Sequence, residues 1–437
     1  MTDIQNTSNL LGLVKKLFPF NYSVVGGGND KAIRVLMKLL PFDVFEYKSG
    51  EELNGWTIPD EFKVINANIS KDGCLIYDAS KIPLGIPILS ESFNGELTLD
   101  ELIPHLFSVS DLNAIPYHWS MLYRPNEKLW GFCIPRKIVK SLSEGKYNIT
   151  LNTMKTPSSM KVLVYTLPGD TKQTVLLNAH NCHPYQANDD ISGVAVGIEI
   201  MNILSSLSSR RYTYKLMVAP ELFGPMFWLD EMQLNDYSSI IGTIMLKSVG
   251  NRSNLKLQES FIGNSVLDRI AHNVFKHNYG EYDSGPFRAI YGNDETVFEA
   301  PPYRIPSISV TRWPFSEYHT DLDTPDRLSE DKLRDTVETV VQICKSLEYN
   351  KTYLLCFSGL VCLSKYGLYK TVPDVEDVGV NYFSIQGRWS QLMNGLPSCL
   401  DRNMDVLTIS EKYDLPIGEV YDYLQLWADN DLVRESL

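Results

Sequence analysis

The stretch Thr174-Val-Leu-Leu-Asn-Ala-His-Asn-Cys-His-Pro-Tyr-Gln-Ala-Asn-Asp-Asp-Ile-Ser-Gly193 decides how the rest of the chain reads. It begins as an uninterrupted apolar run that ends in His180, the pattern of a strand buried on both faces. A polar loop follows, carrying His183, Asp189 and Asp190. Ser192-Gly193 then opens a helical pattern with Val194, Ala195, Val196, Ile198, Ile200, Met201 and Leu204 at its apolar positions. Open α/β folds bind ligands at the carboxyl ends of their strands, which is where this loop falls. Two adjacent carboxylates with nearby imidazoles form a donor set suited to zinc. Capping of the helix accounts for one aspartate. It does not account for His180, His183 and the second aspartate together.

Working outward, apolar runs at Lys161–Gly169, Tyr214–Leu222, Ser238–Gly250 and Ser307–Thr311 read as strands, and Val266–His277 and Ser329–Leu347 as helices. Strands alternating with helices predict an α/β fold, a mostly parallel sheet covered by helices on both faces. Residues 11–40 read as two helices joined by the loop Asn21–Asp30. The Gly26–Gly28 triplet there is a turn and no phosphate loop, because no Lys-Ser/Thr follows it. From about Phe42 to Tyr147 short β-type runs alternate with Gly and Pro, with one short helix after Thr98. The segment Asn403–Val433 reads helix, turn, helix, as in a winged-helix-like module. The predicted division is therefore an α/β domain of residues 1–41 and 148–350, a β-rich insertion of 42–147, and a C-terminal module of 351–437.

Composition bounds the function. A length of 437 residues suits roughly three domains at ~150 residues each. The 53 acidic residues outnumber the 40 basic ones, giving a net charge of −13, which argues against nucleic acid as the main partner. The C-terminal module repeats the point, with three basic residues (Arg402, Lys412, Arg434) against nine acidic ones over 401–437. Its expected roles are packing on the body or supporting a homo-oligomer. No run reaches the ~18 apolar residues that span a bilayer, and the N-terminus lacks the features of a signal peptide. Seven scattered cysteines without a CxxC pair read as cytosolic thiols, so a cytoplasmic location is expected.

Two further stretches carry chemistry. Glu221 in Val218-Ala-Pro-Glu-Leu-Phe-Gly224 follows an apolar run and so stands at a strand's carboxyl end. His319 in Ser316-Glu-Tyr-His-Thr-Asp-Leu-Asp-Thr-Pro325 has Glu317, Asp321 and Asp323 nearby, carboxylates that can orient an imidazole by accepting its second N–H. His105, His118, His272 and His277 lack such company and read as structural or surface residues. Arg312 reads as a surface ion pair, with a substrate carboxylate as its alternative partner.

These three stretches, in this order, resemble the zinc-dependent aminopeptidase family, which also includes single-zinc glutaminyl cyclases. The resemblance is closest to an aminopeptidase-like branch associated with polysaccharide biosynthesis. It rests on Cys182-His-Pro-x-x-Ala-Asn-Asp189, Pro220-Glu221, Glu317-Tyr-His-Thr320, Ile115-Pro-Tyr117 and Trp130-Gly-Phe-Cys133. It implies that Asp189, Glu221 and His319 hold the metal with water as fourth ligand, that His180 is a second-site ligand or replaces one of the three, and that Asp190 and Cys182 stand in support. It implies a hydrolase in which zinc-activated water attacks a peptide or amide carbonyl. One zinc ion is expected, two being the alternative. Asp294 and Tyr318 would face a small peptide or amide substrate.

The chain departs from the family pattern at three places. Cys182 stands where an aspartate is usual. Pro220 stands where the general-base glutamate is usual, and the strand Met245-Leu-Lys-Ser-Val249 carries no carboxylate ligand. Glu317, Glu295 and His183 are the candidates for the missing base, with a metal ligand or a loop brace as the alternative roles of His183. Acyl transfer or cyclisation on the same zinc, and a non-catalytic binding role, are the competing functions.

Overall fold

The strand ending at His180 is the axis of the molecule. In the computed structural model, which describes residues 9–124, 127–370 and 383–436, all seven residues of Thr174–His180 are buried. An apolar run without alternation is what burial on both faces requires. This strand pairs in parallel with Thr213–Ala219 on one side and Ile240–Lys247 on the other, and Ile240–Lys247 pairs in parallel with Ser307–Thr311. Four strand ends therefore point the same way. His180 lies level with Ala219, and Lys247 with Thr311, so the residues just beyond them gather at one edge.

The sheet has eight strands and is mixed, where a mostly parallel one was expected. Its order is Asp43–Lys48, Ser159–Leu167, Thr213–Ala219, Thr174–His180, Ile240–Lys247, Ser307–Thr311, Lys256–Gln258, Ser284–Gly285. The strands flanking the parallel centre join it antiparallel. The strand Asp43–Lys48 pairs with Ser159–Leu167 and so belongs to this sheet, although its sequence texture is that of the insertion. The two shortest strands, Lys256–Gln258 and Ser284–Gly285, have too few residues for a periodicity to show.

Helices cover both faces. Ser192–Ser205 is buried along most of its length because Leu10–Leu17 and Glu330–Tyr349 pack over it. Glu330 binds those two covers together, its carboxylate accepting from the amides of Leu10 (3.3 Å) and Leu11 (2.7 Å). The glycine triplet is the start of a helix, Gly27–Leu36. A Cβ on Gly28 would lie 1.8 Å from the carbonyl oxygen of Asn21, so this position needs glycine for close approach.

The insertion forms a four-stranded antiparallel sheet in the order Cys74–Asp78, Glu61–Lys71, Lys146–Thr156, Phe93–Thr98. The short helix after Thr98 is present as Leu99–Leu102, with Thr98 and Glu101 forming a reciprocal capping box. The insertion reaches the main sheet's loops through Pro116, which bridges Thr320, and through Tyr117, whose amide donates to the His319 carbonyl at 2.7 Å. Beyond residue 350, helices Ile385–Asp401, Val406–Tyr413 and Ile417–Ala428 accompany a ribbon of Tyr353–Leu355 with Val433–Glu435. This unit shares the main hydrophobic core, and Asn273 ties it down by bonding Leu415 and Ile417 at 3.0 Å each. Several of its acids are used in ion pairs, Glu411 with Arg269 and Asp414 with Lys276 and Arg388. Among the described residues no helix is long and apolar enough to cross a membrane.

The loop before Ser192–Ser205 depends on Gly193. A Cβ there would lie 1.9 Å from the Leu246 carbonyl oxygen and 2.5 Å from the Asp190 carboxylate. Gly193→Ala should destabilise the chain by about 3 kcal/mol in denaturant unfolding, because the clash is with backbone that cannot yield. An unchanged midpoint would show that this packing is looser than described.

Candidate metal centre

Burying Asp189 demands compensation, and the loop supplies it from all sides. The Asp189–Asp190 peptide is cis. Asp323 accepts from the amides of Asn188 (2.8 Å) and Asp189 (3.1 Å). Asn188 accepts from Gly250 at 2.9 Å, and the Ser192 hydroxyl donates to the Asn188 carbonyl at 2.6 Å. Asp190 braces the loop from behind, accepting from the amides of His180, Ser248 and Gly193 at 3.1–3.2 Å. Burial, reinforced by the Asp189 charge, pushes the Asp190 carboxyl well above the usual carboxylate range.

The Asp189 carboxylate is split between two neighbourhoods. Its Oδ1 faces His180 Nε2 at 3.1 Å and the Lys247 ammonium at 3.7 Å. Its Oδ2 faces His319 Nε2 at 3.3 Å and His183 Nε2 at 3.6 Å. Burial opposes the charge, yet Lys247 and the three imidazoles hold this carboxyl well below the usual range. Two groups of ligand-type side chains result, one of His183, Asp189 and His319, the other of His180, Cys182 and Glu221, with ligand atoms within 4.8 Å of one another in each.

The first group has the donor chemistry a cation needs. His183 Nδ1 lies 2.9 Å from the Pro184 carbonyl oxygen, which can only accept, so Nδ1 carries the proton. In the neutral ring Nε2 is then a bare lone pair, aimed at the oxygen of a carboxylate. Neither His183 Nε2 nor Asp189 Oδ2 has a hydrogen-bond partner, although both are buried. Burial also pushes the His319 imidazole below its ordinary value, favouring the neutral form that binds metals. Two imidazole nitrogens and one carboxylate oxygen fit zinc with an open position.

The second group is occupied differently. Glu221 Oε1 accepts from Lys247 Nζ at 2.7 Å, and burial of this glutamate is outweighed by Lys247 and His180, which lower its pKa. Cys182 Sγ lies 3.5 Å from His180 Nδ1, and burial pushes its thiol well above the usual value. Lys247 is 2 % exposed and sits 4.3 Å from the centre of the Tyr291 ring. The one sequence signal for it is a basic residue at the end of an otherwise apolar strand.

The remaining predicted residues fall as follows. His180 pairs with Asp189 and Cys182, outside the group that His183 joins. Glu317 is engaged by Ser316 (2.9 Å) and Arg327 (3.6 Å). Asp321 accepts from the Ile115 amide at 2.8 Å, and Asp323 holds the Asp189 loop, so these carboxylates are spent on backbone near His319 and not on its ring. Glu295 is buried, with Oε1 accepting from the Asn293 amide at 2.9 Å and Oε2 unpartnered. Tyr318 stacks on His319 at 3.8 Å between ring centres. Tyr117 of the insertion stacks on His183 at 4.3 Å and meets His319 edge-on at 5.2 Å, a contact that no local pattern foretells. Arg312 is fully buried, where a surface pair was expected, and donates to the carbonyls of Val249, Ser253 and Lys332 and to Asp335.

A cavity of about 350 Å³ opens beside the group, lined by Glu221, His319, Cys182, Tyr117, Tyr123 and Trp56 among others. A second, of about 680 Å³, shares Tyr117 and Cys182 with it and includes His183. A larger one of about 1050 Å³, at the seam with the C-terminal unit, shares no residue with either.

Asp294 lies behind Glu221. Its oxygens accept from the Leu222 amide (2.6 Å) and the Asn178 side chain (2.7 Å). Burial, then the Glu221 charge, pushes its carboxyl up to about 6. A raised carboxyl pKa disfavours the charged form in the folded state, so stability falls as pH rises from about 4 to 6. Asp294→Asn keeps the Leu222 bond, and the Asn178 amide can turn its unpartnered Oδ1 to the new group. Unfolding of the metal-free variant should lose that pH dependence and gain roughly 2 kcal/mol over the parent at pH 7. An identical pH profile for the two chains would refute the buried-carboxyl account.

Comparison with known proteins agrees with this architecture. Residues 11–350 match the family described as a domain of unknown function (DUF4910). A Clostridium acetobutylicum protein, provisionally named a polysaccharide biosynthesis protein with an aminopeptidase-like domain, is 29% identical over 391 residues, 87% of this chain and 88% of its own. A crystal structure from Clostridium acetobutylicum, provisionally named a peptidase, superposes with a TM-score of 0.79 at 24% identity, covering 98% of this chain and 96% of its own. The zinc aminopeptidase of Bacillus subtilis superposes with a TM-score of 0.58 at 14% identity, covering 77% of this chain and 94% of its own. At these identities the two structures speak to the fold, a mixed sheet between helices. The chain belongs to the DUF4910 family and is built on the fold of the zinc aminopeptidases.

Proposed function

We propose that this protein is a zinc-dependent hydrolase of peptide or amide bonds, with His183, Asp189 and His319 as the metal ligands. The observation that carries the reading is the pair His183 Nε2 and Asp189 Oδ2, buried, 3.6 Å apart and each without a hydrogen-bond partner, with His183 Nδ1 set against the Pro184 carbonyl. The aminopeptidase-like name of the Clostridium acetobutylicum relative supports the reaction class. His183, Asp189 and His319 would hold the zinc ion, which when bound would supply Lewis acidity toward an amide carbonyl and lower the pKa of water toward ~7.

The chain's own residues do the rest. Glu221 lines the cavity beside His319 and is anchored through Oε1 to Lys247, which leaves Oε2 to take the proton of the attacking water and pass it to the leaving amine. It thereby fills the role vacated at Pro220, in preference to Glu317, which is held by Ser316 and Arg327, and to Glu295, which does not line this cavity. Asp294 fixes the turn that presents Glu221, through the Leu222 amide. Tyr117 lies stacked on the His183 imidazole and Tyr318 on that of His319, which fixes the ring orientations. A cavity of about 350 Å³ with Trp56, Tyr117 and Tyr123 in its wall suits a small substrate with an apolar portion. The C-terminal helices and ribbon are read as a winged-helix-like unit that buttresses the body, with Glu411 and Asp414 paired to Arg269 and Lys276. The cysteines, all unbridged, fit a reducing, cytoplasmic setting.

One observation favours a second reading, a zinc protein that binds without turnover: Pro220 replaces the usual base, and Lys247 neutralises Glu221. A single series of measurements separates the two. His183→Ala and His319→Ala should each weaken zinc binding by about 100-fold or more. Glu221→Gln should keep zinc and lower turnover of aminoacyl amides by roughly 10²–10⁴-fold. Zinc retained after combined loss of His183, Asp189 and His319 would overturn the metal assignment. A zinc-loaded parent inert across a broad amide and peptide library would favour the binding role.

A further inference from the structure

Lys247 is a buried ammonium placed where the architecture has room for a cation. The Asp189 carboxylate turns one oxygen to each ligand group, as a carboxylate shared by two cations does. On the Oδ2 side stand His183, whose Nε2 has no hydrogen-bond partner, and His319, whose Nε2 lies 3.3 Å from that oxygen. On the Oδ1 side stand His180, Cys182 and Glu221, and there Lys247 Nζ already lies 2.7 Å from Glu221 and 3.7 Å from Asp189. The ring of Tyr291 backs the ammonium at 4.3 Å, and the strand Ile240–Lys247 delivers it from the sheet, so it has no route to swing into solvent.

We propose that Lys247 is a resident cation that takes the place of a second metal ion between Asp189 and Glu221, limiting the centre to one metal. The proposal rests on the zinc-centre reading above. A divalent ion among His180, Cys182 and Glu221 would draw on the same two carboxylates as the ammonium, at separations where like charges repel strongly in a water-poor interior. The ammonium also leaves the pair Lys247–Glu221 neutral, so Asp189 is the one carboxylate charge left to offset part of the charge of the zinc ion. A flexible cation on a four-carbon stem can do this, whereas arginine's wide fork requires more space.

The test is zinc stoichiometry of the full-length chain, measured by elemental analysis after equilibration with zinc and desalting. The parent should hold one ion per chain. Lys247→Asp exchanges the resident cation for a ligand and should hold two, the second bound about 100-fold or more tighter than any second ion in the parent. Two tight ions in the parent would overturn the proposal, as would one ion in a Lys247→Asp chain that melts like the parent. If that variant does not fold, Lys247→Gln keeps the length without the charge. Its calorimetric titration should then show a second, weaker zinc event absent from the parent, and a single event would count against the proposal. A parent that binds no zinc at all would bring down the zinc-centre reading, and this inference with it.

Discussion

One carboxylate, Asp189, is the constraint on which the rest of the structure turns. It is completely buried and faces three imidazoles and an ammonium. A buried charge costs several kcal/mol unless matched. Here the matching consumes a large share of the architecture. Four parallel strand ends bring Lys247 and the His180 and Glu221 segments to one edge. Gly193 lets the loop and the following helix press against the Leu246 carbonyl. Asp190 and Asp323 spend their own carboxylates on loop amides, so that Asp189 alone is left facing the group.

The insertion and the body meet at this same point. Tyr117 reaches the site because its amide bonds the His319 carbonyl and Pro116 bridges Thr320. Its ring then lies on His183 and against His319. The insertion is therefore part of the wall of the site, and the cavity beside Glu221 exists because that wall stands off from it.

Much of this was legible in the residues. The mostly apolar strand to His180 and the helix after Ser192 announced themselves through their apolar patterns, and with them the site of Asp189. Other elements carried no such signal. Asp43–Lys48 has the texture of the insertion and differs only in its pairing partner. His180 ends the strand and His183 lies three residues on in the loop, and nothing local tells which ring meets His319. That choice follows from the Pro184 carbonyl, which binds one nitrogen of His183 and turns the other inward. Arg312 looked exposed beside Trp313 yet is buried, because its partners come from distant segments. Lys247 could be seen as the absence of a carboxylate, but its role needs the position of Glu221, which only the parallel register supplies.

The central claim is that His183, Asp189 and His319 form the metal centre while His180, Cys182 and Glu221 do not. X-ray absorption at the zinc edge of the loaded parent tests it directly, because only the second group contains sulfur. The account predicts nitrogen and oxygen scatterers at about 2.0–2.1 Å, with an imidazole contribution from two rings. A zinc–sulfur distance of about 2.3 Å, marking Cys182 as a ligand, would contradict it.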